Sequence, residues 1–166
     1  MLKTQKGNIL LITYHIMTEE EKETVSRWNY EGEYSIYNMP SYAEQKEQSI
    51  GFGNPSRKKN FYSYWENDIL IGFTNILEED HEVFIGLGVS PFLCGQGYGQ
   101  KVLMEAQKIS KRLYPDKPLY LEVRSWNHRA IRCYQKAGFL IQGEEFEQKT
   151  LAGSGRFFRM IYPKSL

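Results

Sequence analysis

The chain predicts an α/β fold of the α+β kind: one mixed, mostly antiparallel sheet of about seven strands, flanked by about four helices. Three observations predict it. Seven apolar or alternating runs have strand length, and several segments between them repeat their apolar residues at helical spacing. Hairpin signals stand in the middle and at the end of the chain, which makes most strand neighbours antiparallel. The resulting order is β-α-α-β-β-β-α-β-α-β-β, with no internal repeat, low-complexity tract or linker, so residues 1–166 read as one domain.

Each element has a local reason. Ile9-Leu10-Leu11-Ile12-Thr13-Tyr14 reads as a buried strand. Thr18-Glu19-Glu20-Glu21 is a capping box that opens a helix toward Trp28, with Val25 on its inner face. Residues 29–40 lack helical periodicity, and a short polar helix follows near Tyr42–Gln48. Residues 61–65 and 69–74, separated by Glu66-Asn67-Asp68, form a hairpin, and Val83–Val89 adds a third strand. Val102, Ala106, Ile109 and Leu113 draw one helical stripe, which Pro115 and Pro118 end. Residues 119–123 alternate as a strand. Asn127 then caps a helix with inner residues Ala130, Ile131, Tyr134 and Ala137, stopped by Gly138. Residues 139–146 and 156–162 close the fold as a hairpin, joined by a loop containing Gly153-Ser154-Gly155.

Composition narrows the function. Hydrophobic residues make up 41% and charged residues 25% of the chain, the balance of a soluble globular protein. A net charge of +1 without a long basic run gives no nucleic-acid footprint. Cys94 and Cys133 form neither a metal-ligand spacing nor a disulfide framework. The apolar stretch 9–12 is too short for a secretory signal, and no run approaches spanning length. The expectation is a cytoplasmic protein with no membrane partner and no metal.

The stretch Val89-Ser90-Pro91-Phe92-Leu93-Cys94-Gly95-Gln96-Gly97-Tyr98-Gly99-Gln100 carries the most functional information. A strand enters it and an amphipathic helix leaves it. Glycines let the backbone approach a ligand, and the helix N-terminus turns free N–H groups and a positive dipole end toward the loop. That combination suits an anion, above all phosphate. A tight strand-to-helix turn would use the same glycines. A P-loop is excluded because Gln100 precedes Lys101 and Val102 follows it, and a dinucleotide fingerprint because the glycines run G-x-G-x-G.

This loop and a second segment, Asn127-x-x-Ala130-x-x-x-Tyr134-x-Lys136-x-Gly138-Phe139, resemble signatures of the GNAT superfamily of acetyl-CoA-dependent N-acetyltransferases. Gly97 and Gly99 match the last defined positions of the family loop. Cys94 departs from it, since the family usually has Gln or Arg there. The direct resemblance covers residues 83–139, and the order of elements extends it along the chain.

The resemblance implies acetyl-CoA as cosubstrate and a small-molecule or peptide amine as acceptor. The diphosphate would sit on the N–H groups of Cys94, Gly95, Gln96, Gly97, Tyr98, Gly99 and Gln100. The pantetheine arm would follow Leu87, Gly88 and Val89, where the strand glycines also suit a bulge. Asn127 would bind near the thioester while capping its helix. Tyr134 matches the general acid that serves the departing thiolate. The base is less defined: Glu82 falls one residue off the family position, and only a bulge near Gly86 and Gly88 would restore the register. Glu122, His81 or a water stay open. Trp28, Tyr30, Glu31, Glu33 and Tyr34 fall where the family covers its acceptor. A CoA-binding regulatory module without turnover, or transfer of a larger acyl group, fits the same residues, and a homodimer is compatible with them.

Overall fold

The computed structural model describes residues 11–163. Its strands are β1 (Ile12–Ile16), β2 (Phe61–Glu66), β3 (Ile69–Glu78), β4 (Val83–Val89), β5 (Leu119–Arg124), β6 (Leu140–Thr150) and β7 (Gly153–Tyr162). Its helices are α1 (Glu19–Ser26), α2 (Tyr42–Gln48), α3 (Tyr98–Leu113) and α4 (His128–Lys136), with 3-10 turns at Gly32–Tyr37, Gly51–Gly53 and Pro55–Arg57. The strands form a seven-stranded sheet in the order β1-β2-β3-β4-β5-β7-β6. All neighbours are antiparallel except β4 and β5.

Local chemistry accounts for the boundaries. The Thr18 hydroxyl accepts from the Glu21 N–H, and the Glu21 carboxylate accepts from the Thr18 N–H, closing the capping box of α1. Ser41 and Glu44 do the same for α2. Gly138 ends α4 in the left-handed region at φ +97. In α3, Val102, Ala106 and Ile109 are fully buried, while Leu113 emerges into solvent at 45% exposure, so the stripe sinks into the core for three of its four members.

Three expectations change. The first strand runs to Ile16, and it is a half-exposed edge strand, not a buried one, because it pairs only with β2. Ile9 and Leu10 of that expectation lie outside the described residues. The closing hairpin turns at Leu151-Ala152, and Gly153-Ser154-Gly155 belongs to β7. After a register shift between Gln142 and Phe146, the polar residues 147–150 pair with β7, because β6 is the far edge of the sheet and need not be apolar. Finally, the β3–β4 ladder runs without a shift from Gly72↔Val89 to Glu78↔Val83, so β4 carries no bulge. Gly88 has another cause: a Cβ there would stand 2.4 Å from the Phe73 ring.

Two cores clamp the sheet. Val102, Leu103, Ala106 and Ile109 of α3 and Ile131 of α4 pack on Ile71, Ile76, Ile85, Leu121 and Val123. Met17, Val25, Tyr42, Phe52 and Phe61 form the second core with α1 and α2. Burying each Val, Leu, Ile, Met or Phe of these cores contributes about 1.5–3 kcal/mol.

Candidate active site

The site originates in the parallel seam. β4 and β5 pair only at Val83↔Leu119 and Phe84↔Tyr120, and beyond these pairs the strands part. A cavity of about 530 Å³ fills the gap. Residues 84–89 of β4 and 121–124 of β5 wall it, the glycine loop and α4 close one end, and Tyr30, Tyr34, Tyr37 and Met39 cover it.

The loop is shaped by backbone geometry. Gly95 and Gly97 have φ +77 and +84, and a Cβ on either would meet nothing within 4 Å. Their glycine identity therefore serves conformation. Gly97 caps α3 without any side-chain acceptor, which leaves first-turn N–H groups available. Gly99 is glycine for a different reason: its Cβ would stand 2.9 Å from Cys133 Sγ, so it lets the start of α3 close on the second half of α4.

Of the cofactor residues expected from sequence, Leu87, Gly88, Val89, Cys94, Gly95, Gly97, Gly99, Gln100 and Asn127 line the cavity. Gln96 and Tyr98 do not. The Gln96 side chain donates to the Phe92 carbonyl, and the Tyr98 hydroxyl donates to Glu66 at 2.9 Å. Cys94 Sγ donates to the Ser90 carbonyl at 3.5 Å. Asn127 caps α4 by accepting from the Ala130 N–H at 3.1 Å, and its amide donates to the Tyr37 hydroxyl at 2.9 Å, which leaves one amide N–H free.

Tyr134 lines the cavity half-buried, and its hydroxyl has no hydrogen-bond partner among the described residues. Desolvation pushes its phenol well above the usual range, helped by the neighbouring Cys133 and Tyr37. The group stays protonated at any physiological pH.

The carboxylates divide clearly. Glu82 is gripped by both terminal nitrogens of Arg159 and lies outside the cavity wall. With no bulge in β4, nothing carries it across. His81 is exposed in the turn before β4. Glu122 does line the cavity, and it accepts from Gln148 at 2.9 Å.

The expected acceptor segment also divides. Tyr30 and Tyr34 line the cavity, whereas Trp28 packs on Phe73 in the second core, and Glu31 and Glu33 are exposed outside the wall. The Tyr30 hydroxyl donates to the Val89 carbonyl at 2.6 Å and so ties the covering segment to the end of β4. Burial pushes its phenol up. Tyr34 and Tyr37 pack on Trp126, with the Arg129 guanidinium 4.0 Å over the Tyr34 ring. Tyr37 ends the acceptor segment expected from sequence, whereas Arg124 and Arg129 were not anticipated. The strand alternation that puts Glu122 on one face puts Arg124 there as well. Among the described residues the wall holds four cations (Arg124, Arg129, Arg132 and Lys136) against one carboxylate, Glu122. That balance favours an anionic occupant.

Comparison with known proteins agrees with this geometry. A model described as the acetyltransferase (GNAT) family matches residues 17–139. Protein ElaA of Escherichia coli K12 is 32% identical over 95 residues, 55% of this chain, and the chain spans about 60% of the length of the curated relatives it matches. A spermidine N-acetyltransferase from Vibrio cholerae, solved with CoA and spermine, superposes with a TM-score of 0.73 at 17% identity, over 90% of this chain and 94% of that one. AAC(6')-Ib with ribostamycin and coenzyme A superposes at 0.68 and 21% identity, over 89% and 92%. The matched residues include the parted strands, the glycine loop and α4, and on that basis the chain belongs to the GNAT family of acetyltransferases.

Proposed function

We propose that this protein transfers an acetyl group from acetyl-CoA to a primary amine by direct attack within a ternary complex. One observation carries the proposal: the gap between β4 and β5 runs without interruption from the glycine loop to Tyr134. The residues fit the cosubstrate. Main-chain groups on the inner margins of both strands lack a cross-strand partner beyond the two pairs, and the loop offers open N–H groups at a helix start. Arg132 and Lys136, which with Arg129 share one face of α4, add positive charge at the same mouth.

When bound, acetyl-CoA supplies an electrophilic thioester carbon and a sulfur that leaves with the bonding pair. The chain supplies the rest. The cavity fixes the amine beside that carbon, and such positioning accounts for much of the acceleration. The acceptor ammonium, near pKa ~10.4, must lose a proton to attack, and Glu122 is the wall carboxylate able to receive it, directly or through a water. Tyr134, on the wall of the same gap, would face the departing sulfur, which takes up the second proton that the nitrogen sheds. Its phenol holds its proton more tightly than a thiol near ~8.5, so it stabilises the thiolate by donating a hydrogen bond.

A panel of amines with acetyl-CoA, followed by thiol release, tests this reading. Release should accelerate with the right amine, and calorimetry should detect coenzyme A binding. Binding without amine-dependent release would identify a CoA-binding module instead. A faster response to a longer acyl-CoA would redefine the acyl group.

A further inference from the structure

We infer that the acceptor carries a carboxylate next to its amine and that Arg124 holds it; this rests on the acetyltransferase reading above. Arg124 ends β5 and lines the cavity, yet only 6% of it is exposed. Among the described residues no carboxylate pairs with it. Its guanidinium donates to the Thr150 hydroxyl at 3.2 Å and lies 4.9 Å over the Phe157 ring. Gly155 makes room for it, because a Cβ there would stand 2.2 Å from Nη1. The fold therefore reserves space for a buried guanidinium and gives it one neutral hydroxyl and an aromatic face. A desolvated charge left so is unfavourable until an anion meets it, and guanidinium matches carboxylate in a two-pronged geometry.

The anion is not a phosphate of coenzyme A. The neighbours of Arg124 are Thr150, Gly155 and Phe157 of the β6–β7 hairpin, with Tyr37 near enough to feel its charge. The hairpin residues lie beyond β5, across the gap from the glycine loop that follows β4. Arg129 is exposed over Tyr34 and does not share this burial.

Glu122 sets the spacing. It stands two residues earlier on the same strand face, roughly 6.6 Å away along β5. An amine at Glu122 and a carboxylate at Arg124 are then separated by a few bonds, as in an amino acid or a similarly short amino-carboxylate. Long polyamines without an anionic group leave Arg124 unanswered.

The test uses matched pairs: each amino acid against its own amide and methyl ester, with spermidine as the polyamine, all with the wild-type protein and acetyl-CoA. Free acids should be acetylated at least roughly tenfold more efficiently than their neutral twins, the share of one charge-assisted contact. Arg124→Gln should erase that preference, and Arg124→Lys should retain part of it. Calorimetry of the same pairs with coenzyme A present reads the preference without turnover, should a variant fold poorly. Equal handling of acids and amides, or turnover of spermidine alone, overturns the inference while the acetyltransferase reading stands. Absence of coenzyme A binding overturns the acetyltransferase reading, and the acid-over-amide binding preference still decides the role of Arg124.

Discussion

On one side of the cavity the wall is main chain: the inner margin of β4, two left-handed glycines and the first turn of α3. On the other it is side chain: Glu122 and Arg124 from β5, Tyr34 and Tyr37 from the covering segment, and Phe157 from β7. The difference is chemical. Amide groups recognise a phosphate or an extended amide arm whatever the rest of the sequence is, so that wall suits a ligand shared across a family. Side chains converging from three elements recognise one particular molecule. A main-chain wall changes little when residues change, and a side-chain wall changes with each one.

The boundary between the two walls is Tyr134, and the largest effect is expected there. Tyr134→Phe should lower kcat roughly a hundredfold while KM for acetyl-CoA hardly moves. Steady-state thiol release measures both. Full turnover in the variant would take Tyr134 out of the chemistry.

The main-chain wall is probed next. Gly97 sits at φ +84, and a β-branched residue there costs at least about 1–2 kcal/mol. Gly97→Val should therefore weaken coenzyme A binding roughly tenfold or more and spare the selectivity among amines. Undiminished affinity in calorimetry would mean that the anion is held elsewhere.

The smallest effect is expected where the walls are tied together. Asn127→Ala removes the cap of α4 and the contact with Tyr37, a loss of about 1 kcal/mol. For a domain of this size that lowers the melting midpoint by about 2–4 °C in scanning calorimetry. An unchanged midpoint would show that the tie is idle.

The same contrast explains what could be read without a structure. The glycine spacing, the Asn127 cap and the α3 stripe are local patterns, and a local pattern needs no partner to be recognised. The tie from Tyr37 to Asn127 and the setting of Arg124 form only after the hairpin and the covering segment have packed, so spacing in the chain, 90 residues from Tyr37 to Asn127, says little of them. Gln96 and Tyr98 lie inside the glycine motif, but their side chains turn away from the cavity, Tyr98 to Glu66, so that any part they take there rests on their main-chain N–H groups. Glu82 is instructive too, since only the unbroken β3–β4 ladder and Arg159 reveal where it is held. Edge strands were hardest to delimit: β6 carries a polar run that reads as loop until its pairing with β7 is seen.

The two-pair seam between β4 and β5 has a mechanical consequence. The sheet is in effect two boards, β1 to β4 and β5 to β6, nailed at one end and held elsewhere by α3, α4 and the oils between them. A pantetheine arm lying in the gap would bond to both margins as an extra strand that the gene does not encode. On the proposed function, a ligand that fills the gap ties the two boards together and should stiffen the molecule far from the atoms that react.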